Sequence, residues 1–256
     1  MRAALYRALC ETAPEAKCAA VAQLAAGPWT ADAADAGRIP GRPAQPVLVH
    51  PREVPHRGLG SVAGRAALLH AVAHIEFNAI NLALDAAWRF AGMPEDYYAD
   101  WISVAQDEAR HFLMVAARLQ QLGYRYGDFE AHNGLWEAAE KTAHDPLLRM
   151  ALVPRVLEAR GLDVTPGMIQ RLRDVGDPDT IAVLEVILRE EVRHVAIGTR
   201  WYRWLCAQRG LEAETLFPQL LAEHGVRLRP PLNLEARAAA GFLPGELQLP
   251  TAPGHG

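Results

Sequence analysis

The chain has 256 residues, 50% of them hydrophobic and 22% charged, with a net charge of −4. This excludes a disordered chain or a stapled miniature and allows one large domain or two small ones. The weak negative balance offers no basic face for a nucleic acid or a membrane. Cys10, Cys18 and Cys206 form no CxxC pair and no even disulfide framework, so ordinary packing thiols are expected.

The N-terminal stretch MRAALYRALCETAPEAKC lacks the apolar core and small-residue cleavage site of a signal peptide. No uninterrupted run of eighteen apolar residues follows, and the expectation is a cytoplasmic, reduced protein with no membrane span. Residues 4–25 read as one amphipathic helix. The stretch GRIPGRPAQPVLVHPREVPHRGLG, 37–60, is too rich in Pro and Gly for a helix and reads as an extended arm or a linker.

From Ser61 onward the periodicity is helical. Helices are expected at 61–91, at 95–122, at 145–161 opening with Asp145–Pro146 and stopping at Gly161, and at 178–209, again opening with Asp-Pro. A short helix around 133–143 links the second to the third, and one or two short helices with a Pro-rich tail follow Gly210. The expected architecture is all-α: an N-terminal helix and arm (1–60), a four-helix bundle (61–210), and a short helical, Pro-rich tail (211–256).

Two nearly identical phrases carry the chemistry: DEARHF at 107–112 and EEVRHV at 190–195. Residues three apart on an α-helix rise one turn on the same side, so Glu108 with His111, and Glu191 with His194, reach a common point. Alone, Glu-x-x-His is a weak signal. Glu53 and His56 match it within a proline-broken arm where no helix can align them. Here the neighbours decide. Trp101, Val104, Ala105, Phe112 and Val115 flank the first pair, and Leu184, Ile187, Leu188, Val195 and Gly198 flank the second. Both pairs therefore fall on apolar stripes, where uncompensated carboxylates are costly.

Each pair has an upstream companion. Glu76 is the only acid between Arg57 and Leu84, on a stripe of Leu69, Val72, Ala73, Ala79, Ile80 and Ala83. Glu158 is the only acid between Pro146 and Leu162, on a less clean stripe of Ala151, Pro154, Arg155 and Leu162. Glu76 precedes Glu108 by 32 residues and Glu158 precedes Glu191 by 33, so one helical hairpin is written twice. Four carboxylates and two imidazoles converging in a bundle form a di-metal carboxylate site of the ferritin-like kind. Two divalent ions balance four negative charges, and the mixed oxygen and nitrogen ligands suit iron, manganese or zinc.

The doubled acid-Glu-x-Arg-His resembles the motif of non-haem di-iron oxygenases, including bacterial multicomponent hydroxylases. More closely, HIEFNAINLALDAAWRF, DEARHF, VPRVLEARGLDVTP and EEVRHVAIGTRW are similar to an uncharacterised bacterial family of ferritin-like proteins, from about residue 45 to 245. That resemblance implies the ferritin-like fold and its metal site, and it supplies no substrate. By the oxygenase motif, Glu108 and Glu191 bridge two ions, Glu76 and His111 complete one, and Glu158 and His194 complete the other. The acids beside the bridges, Asp107 and Glu190, would reach across to His194 and His111 respectively, steadied by Arg110 and Arg193 three residues on. Position 190 departs from the motif, with Glu in place of Asp. A distant likeness to tRNA-modifying di-iron hydroxylases has no basic run behind it.

The expected function is thus an O2-activating oxidase or hydroxylase with two iron ions, or manganese or a mixed pair, acting on a small organic substrate with electrons from a donor protein. The alternatives are a ferroxidase or iron-handling ferritin-like protein and a metal-free helical interaction module. His70 and His74, spaced i, i+4, lie well round the helix from Glu76 and read as flank packing rather than a further metal site. Tyr97, Tyr98, Trp101, Trp201, Tyr202 and Trp204 read as core.

Overall fold

The computed structural model describes residues 1–27, 39–55 and 57–247. His56, with its decoy match, lies outside them, as do parts of the arm and of the C-terminal tail. Among the described residues the fold is all-helical. No strand forms, and one isolated parallel bridge joins Leu48 to Ala131. The chain divides into two compact units: residues 1–137 with 172–183, and residues 138–171 with 184–256.

The first unit is built on the hairpin of α3 (Val62–Arg89) and α4 (Glu95–Gln121). Ser61 starts α3 by accepting the Gly64 N–H at 3.0 Å, and Gly92, at φ 76°, turns the chain into α4. Leu69, Ala73, Ile80, Leu84 and Ala87 of α3 are completely buried, and small residues between them let neighbouring helices approach. Each buried Leu or Ile contributes roughly 1.5–3 kcal/mol. Helix α3 is long and apolar enough to cross a membrane, but most of it is buried inside the protein, as befits a core helix. Tyr97 and Tyr98 of α4 donate to the carbonyls of Ala86 and Phe90, at 3.2 and 3.1 Å, and pin the hairpin shut.

The N-terminal expectation needs correction. Residues 4–25 form two helices, α1 (Arg2–Cys10) and α2 (Pro14–Ala22), not one. Pro14 has no N–H to continue a helix, and the Glu11 carboxylate accepts the N–H groups of Thr12 and Ala13 at 2.8 and 2.9 Å. The break lets Lys17 turn inward. Its ammonium donates to Leu9 O at 2.9 Å and to Asn81 Oδ1 at 2.6 Å, and burial lowers its pKa to about 7. The described part of the arm lies on this unit: Gly41 donates to Leu9 O, and residues 47–49 pair with Ala131. Gly41 is required there, because a Cβ would sit 2.1 Å from Cys10 O. Asp177 caps the helix that opens at Pro178 through the Thr180 N–H at 3.1 Å and holds Arg65 and Arg118.

The second unit contains the end of α5 (Gly134–Lys141), α6 (Pro146–Leu152), most of α7 (Ala159–Asp174) and of α8 (Pro178–Gln208), α9 (Ala213–Glu223), α10 (Leu234–Ala239) and α11 (Pro244–Leu247). Asp145 caps α6 through the Leu147 N–H at 2.8 Å and receives both Arg209 nitrogens. Here too one expectation is corrected. The helix from 146 does not stop at Gly161 but runs through a π-helical segment, Val153–Glu158, and then α7 to Asp174. Pro154 cannot donate within the ladder and its ring crowds the carbonyl four residues back, which widening the turn relieves. Pro166 likewise deprives the Leu162 carbonyl of its helical donor, and Asn233 Nδ2 supplies a replacement at 3.2 Å.

Candidate metal centre

In the first unit, α3 supplies Glu76 and α4 supplies Glu108 and His111, all almost wholly buried. His111 Nδ1 lies 3.2 Å from Glu76 Oε2 and 3.5 Å from Glu108 Oε2. The three offer ligand atoms within 4.8 Å of one another. Phe77, next to Glu76, packs on Phe112, next to His111, at 5.7 Å, and Phe112 packs on Tyr126 at 5.2 Å. An aromatic wall thus stands beside the cluster.

The electrostatics of this cluster favour a cation. Burial is the strongest influence on His111 and pulls its pKa down. Hydrogen bonds and charge from Glu108 and Glu76 together outweigh it and raise the pKa to about 10. Two desolvated carboxylates therefore hold a proton on a ring that ordinarily loses it near neutrality. A divalent ion would meet the same demand at the same nitrogen. Carboxylate oxygens with an imidazole nitrogen form the donor set that iron, manganese and zinc accept. The residues fit a metal.

In the second unit, α8 carries Glu191 and His194. His194 is fully buried, its Nδ1 3.4 Å from Glu191 Oε1, and the Glu191 side chain is 12% exposed. Glu158 ends the π-helical segment with its Oε2 buried. That segment explains the unclean stripe around Glu158. A π turn holds one residue more than an α turn, so the residue three back no longer shares its face. Arg155 is accordingly not beside Glu158 but among the rings of Tyr202, Phe217 and Phe242, 4.4, 4.0 and 4.5 Å from their centroids. Gly198, one turn after His194, faces Pro154. A Cβ there would lie 2.4 Å from the proline's Cβ, so the glycine serves close packing.

Asp107 and Arg110 form the expected local ion pair at 2.8 Å, with side chains 28% and 45% exposed. Glu190 lies 3.6 Å from Arg189, and Arg193 is exposed. His70 and His74 take the packing role. His70 Nε2 accepts the Gly127 N–H at 2.9 Å. His74 Nε2 faces the His132 carbonyl at 3.0 Å and so carries the proton, leaving Nδ1 to accept from the Tyr126 hydroxyl at 2.9 Å. Five of the six singled-out aromatics are buried, Trp204 being partly exposed. Sequence reasoning missed the buried Arg155 as a structural feature, and its signal was the proline immediately before it.

This is an all-helical protein with a buried Glu–His cluster suited to a metal ion. The chain belongs to the family described as "Protein of unknown function (DUF455)", which it matches over residues 10–248. It is similar to an uncharacterised protein of Haemophilus influenzae, 49% identical over 213 residues, which span 80% of this chain and 74% of the relative. No solved structure matches it.

Proposed function

We propose that the two Glu…Glu-x-x-His halves form one di-metal carboxylate centre in a ferritin-like four-helix bundle, and that the protein is a non-haem di-iron oxidoreductase acting on an organic substrate. The buried cluster of Glu76, Glu108 and His111 carries this reading. The nearly equal spacing of the second set, Glu158, Glu191 and His194, extends it to a pair of ions. Such an iron pair would supply the redox chemistry, the reduction of O2 coupled to oxidation of the substrate.

The chain's own residues do the rest. Glu108 and Glu191 would be shared between the ions, Glu76 and His111 would hold one, and Glu158 and His194 would hold the other. Four carboxylates set the charge for two divalent ions. Asp107 would accept from the outer ring nitrogen of His194 and Glu190 from that of His111, fixing each imidazole's tautomer and tilt. Arg110 and Arg193 keep those acids ionised. Phe77, Phe112 and Tyr126 limit water on the Glu76 side.

The test is metal content followed by O2 consumption. Protein purified without chelators is expected to hold close to two transition-metal ions per chain, and the anaerobic ferrous form to react with O2 at two irons per chain and then stop. One ion or none under iron-replete conditions would refute the pair. Uptake of tens of irons per chain would make the protein an iron store.

A further inference from the structure

Glu158 stands between two buried ion pairs, and the same downstream segment makes both. Three residues before it, Arg155 is fully buried and donates from Nη2 to Glu246 Oε1 at 2.6 Å. Glu246 is itself fully buried, and its other oxygen accepts the Leu243 N–H at 2.8 Å. Five residues after Glu158, Asp163 receives Arg237 through both oxygens, at 2.9 and 2.7 Å, and accepts the Asn233 N–H at 2.9 Å. Asn233 also holds the Leu162 carbonyl and caps α10 through the Ala236 N–H at 3.1 Å. The segment from Asn233 to Glu246 thus spans the chain on both sides of Glu158.

Buried ion pairs are a poor means of adding stability, because desolvating both partners offsets most of their attraction. What they do impose is a direction: a guanidinium paired at one oxygen and enclosed by three ring faces has one place to sit. One of those rings, Tyr202, lies on α8 eight residues beyond His194, so Arg155 also ties the π-helical segment to the helix carrying Glu191 and His194. A π turn is a strained departure from the α ladder. Relaxing it to α would turn Glu158 by about 100° relative to the residues before it.

We infer that the C-terminal segment Asn233–Glu246 is a splint that sets the orientation of Glu158 at the metal centre, with Arg155 and Asp163 as its anchor points; the inference rests on the di-metal reading. Arg155 and Glu246 are positioning residues. They act on the ion held by Glu158 and His194, not on the ion held by Glu76 and His111. The end of the chain therefore belongs to the centre's architecture although none of its residues is a ligand.

The experiment is titration of the metal-free full-length protein with Co(II), followed by calorimetry and by the cobalt absorption bands, for wild type, Glu246→Gln, Asp163→Asn and the double variant Arg155→Met/Glu246→Leu. Thermal melting of each metal-free form is recorded alongside. Wild type is read first: two ions support the di-metal reading, whereas one or none overturns that reading and the splint with it. Given two, Glu246→Gln is expected to weaken one ion roughly 10–100-fold and spare the other. The apolar pair is expected to restore melting of the metal-free form while the same ion stays weak. Unchanged affinities in Glu246→Gln overturn the splint. So do equal losses at both ions, or full recovery of binding in the apolar pair, either of which marks a merely structural role. If Glu246→Gln does not fold, Asp163→Asn at the other anchor decides by the same criteria.

Discussion

The α3–α4 hairpin and the α6–α8 half present the same candidate ligand types at nearly the same spacing, yet they hold them by different means. In the first unit Glu76 rides a regular α-helix lined with alanine, and its position follows from periodicity alone. In the second, Glu158 ends a proline-bent π-helical segment flanked by two buried ion pairs. The residue one turn after each histidine shows the contrast most directly. Val115 fills the core in α4, whereas Gly198 in α8 leaves room for Pro154. A repeated motif can thus be supported once by local regularity and once by distant residues.

Removing a candidate ligand from each half breaks the comparison most severely. His111→Ala and His194→Ala are each expected to take the protein from two bound ions to one, with at least a 100-fold loss at the affected ion, read by metal titration. Loss of both ions from either substitution would mean that the halves do not load separately.

Acid should weaken the first unit through two histidines outside the Glu–His cluster. Burial, the leading cause for both, lowers His70 and His74 to about 4 from an ordinary value near 6.5. Above pH 6.5 both states are neutral and nothing is lost. Between 6.5 and 4 the unfolded chain takes up protons that the folded one refuses, so stability falls as pH drops, on the order of 2 kcal/mol per histidine. Urea denaturation of metal-free protein at pH 7.0, 5.5 and 4.5 checks this. His70→Gln, whose amide oxygen can still accept the Gly127 N–H, should remove about half of the fall.

Exchanging the residues after the histidines sharpens the contrast at smaller scale. Gly198→Ala forces a Cβ into the Pro154 ring and is expected to cost about 1–3 kcal/mol by overpacking. Val115→Ala removes buried methyls and should cost about 1.5–2 kcal/mol by transfer and cavity terms. Denaturant midpoints measure both, and only Gly198→Ala should also disturb metal binding, through the π-helical segment. The smallest effect on folding of the metal-free protein is expected at Arg110→Ala, about 0.3–0.5 kcal/mol, because the Arg110 side chain is 45% exposed where it pairs with Asp107.

How much of this was legible depends on how local the determinants are. Helices expected at 61–91, 95–122 and 178–209 appear as Val62–Arg89, Glu95–Gln121 and Pro178–Gln208, because the starts at Ser61, Pro94 and Asp177–Pro178 and the glycine stops act within a turn. Burial of Glu76, Glu108, His111 and His194 was readable from their apolar stripes. The continuation past Gly161 and Pro166 was not, since the group that satisfies the Leu162 carbonyl comes from Asn233, 71 residues away. The stripe around Glu158 is untidy on an α-helical period because Val153–Glu158 is π-helical. Pro14 is a local helix-start signal, and it opens α2 four residues after α1 ends at Cys10.

Lys17 gives the N-terminal helices a built-in chemical reporter. The chain has only two lysines, and Lys141 is exposed whereas Lys17 is completely buried between Leu9 and Asn81. An amine-acylating reagent offered to the native protein should mark the N-terminal amine and Lys141 at once. It can reach Lys17 only when α1 and α2 lift from the α3–α4 hairpin. The mass of one peptide, followed over time, therefore reads the rate at which that corner of the protein opens.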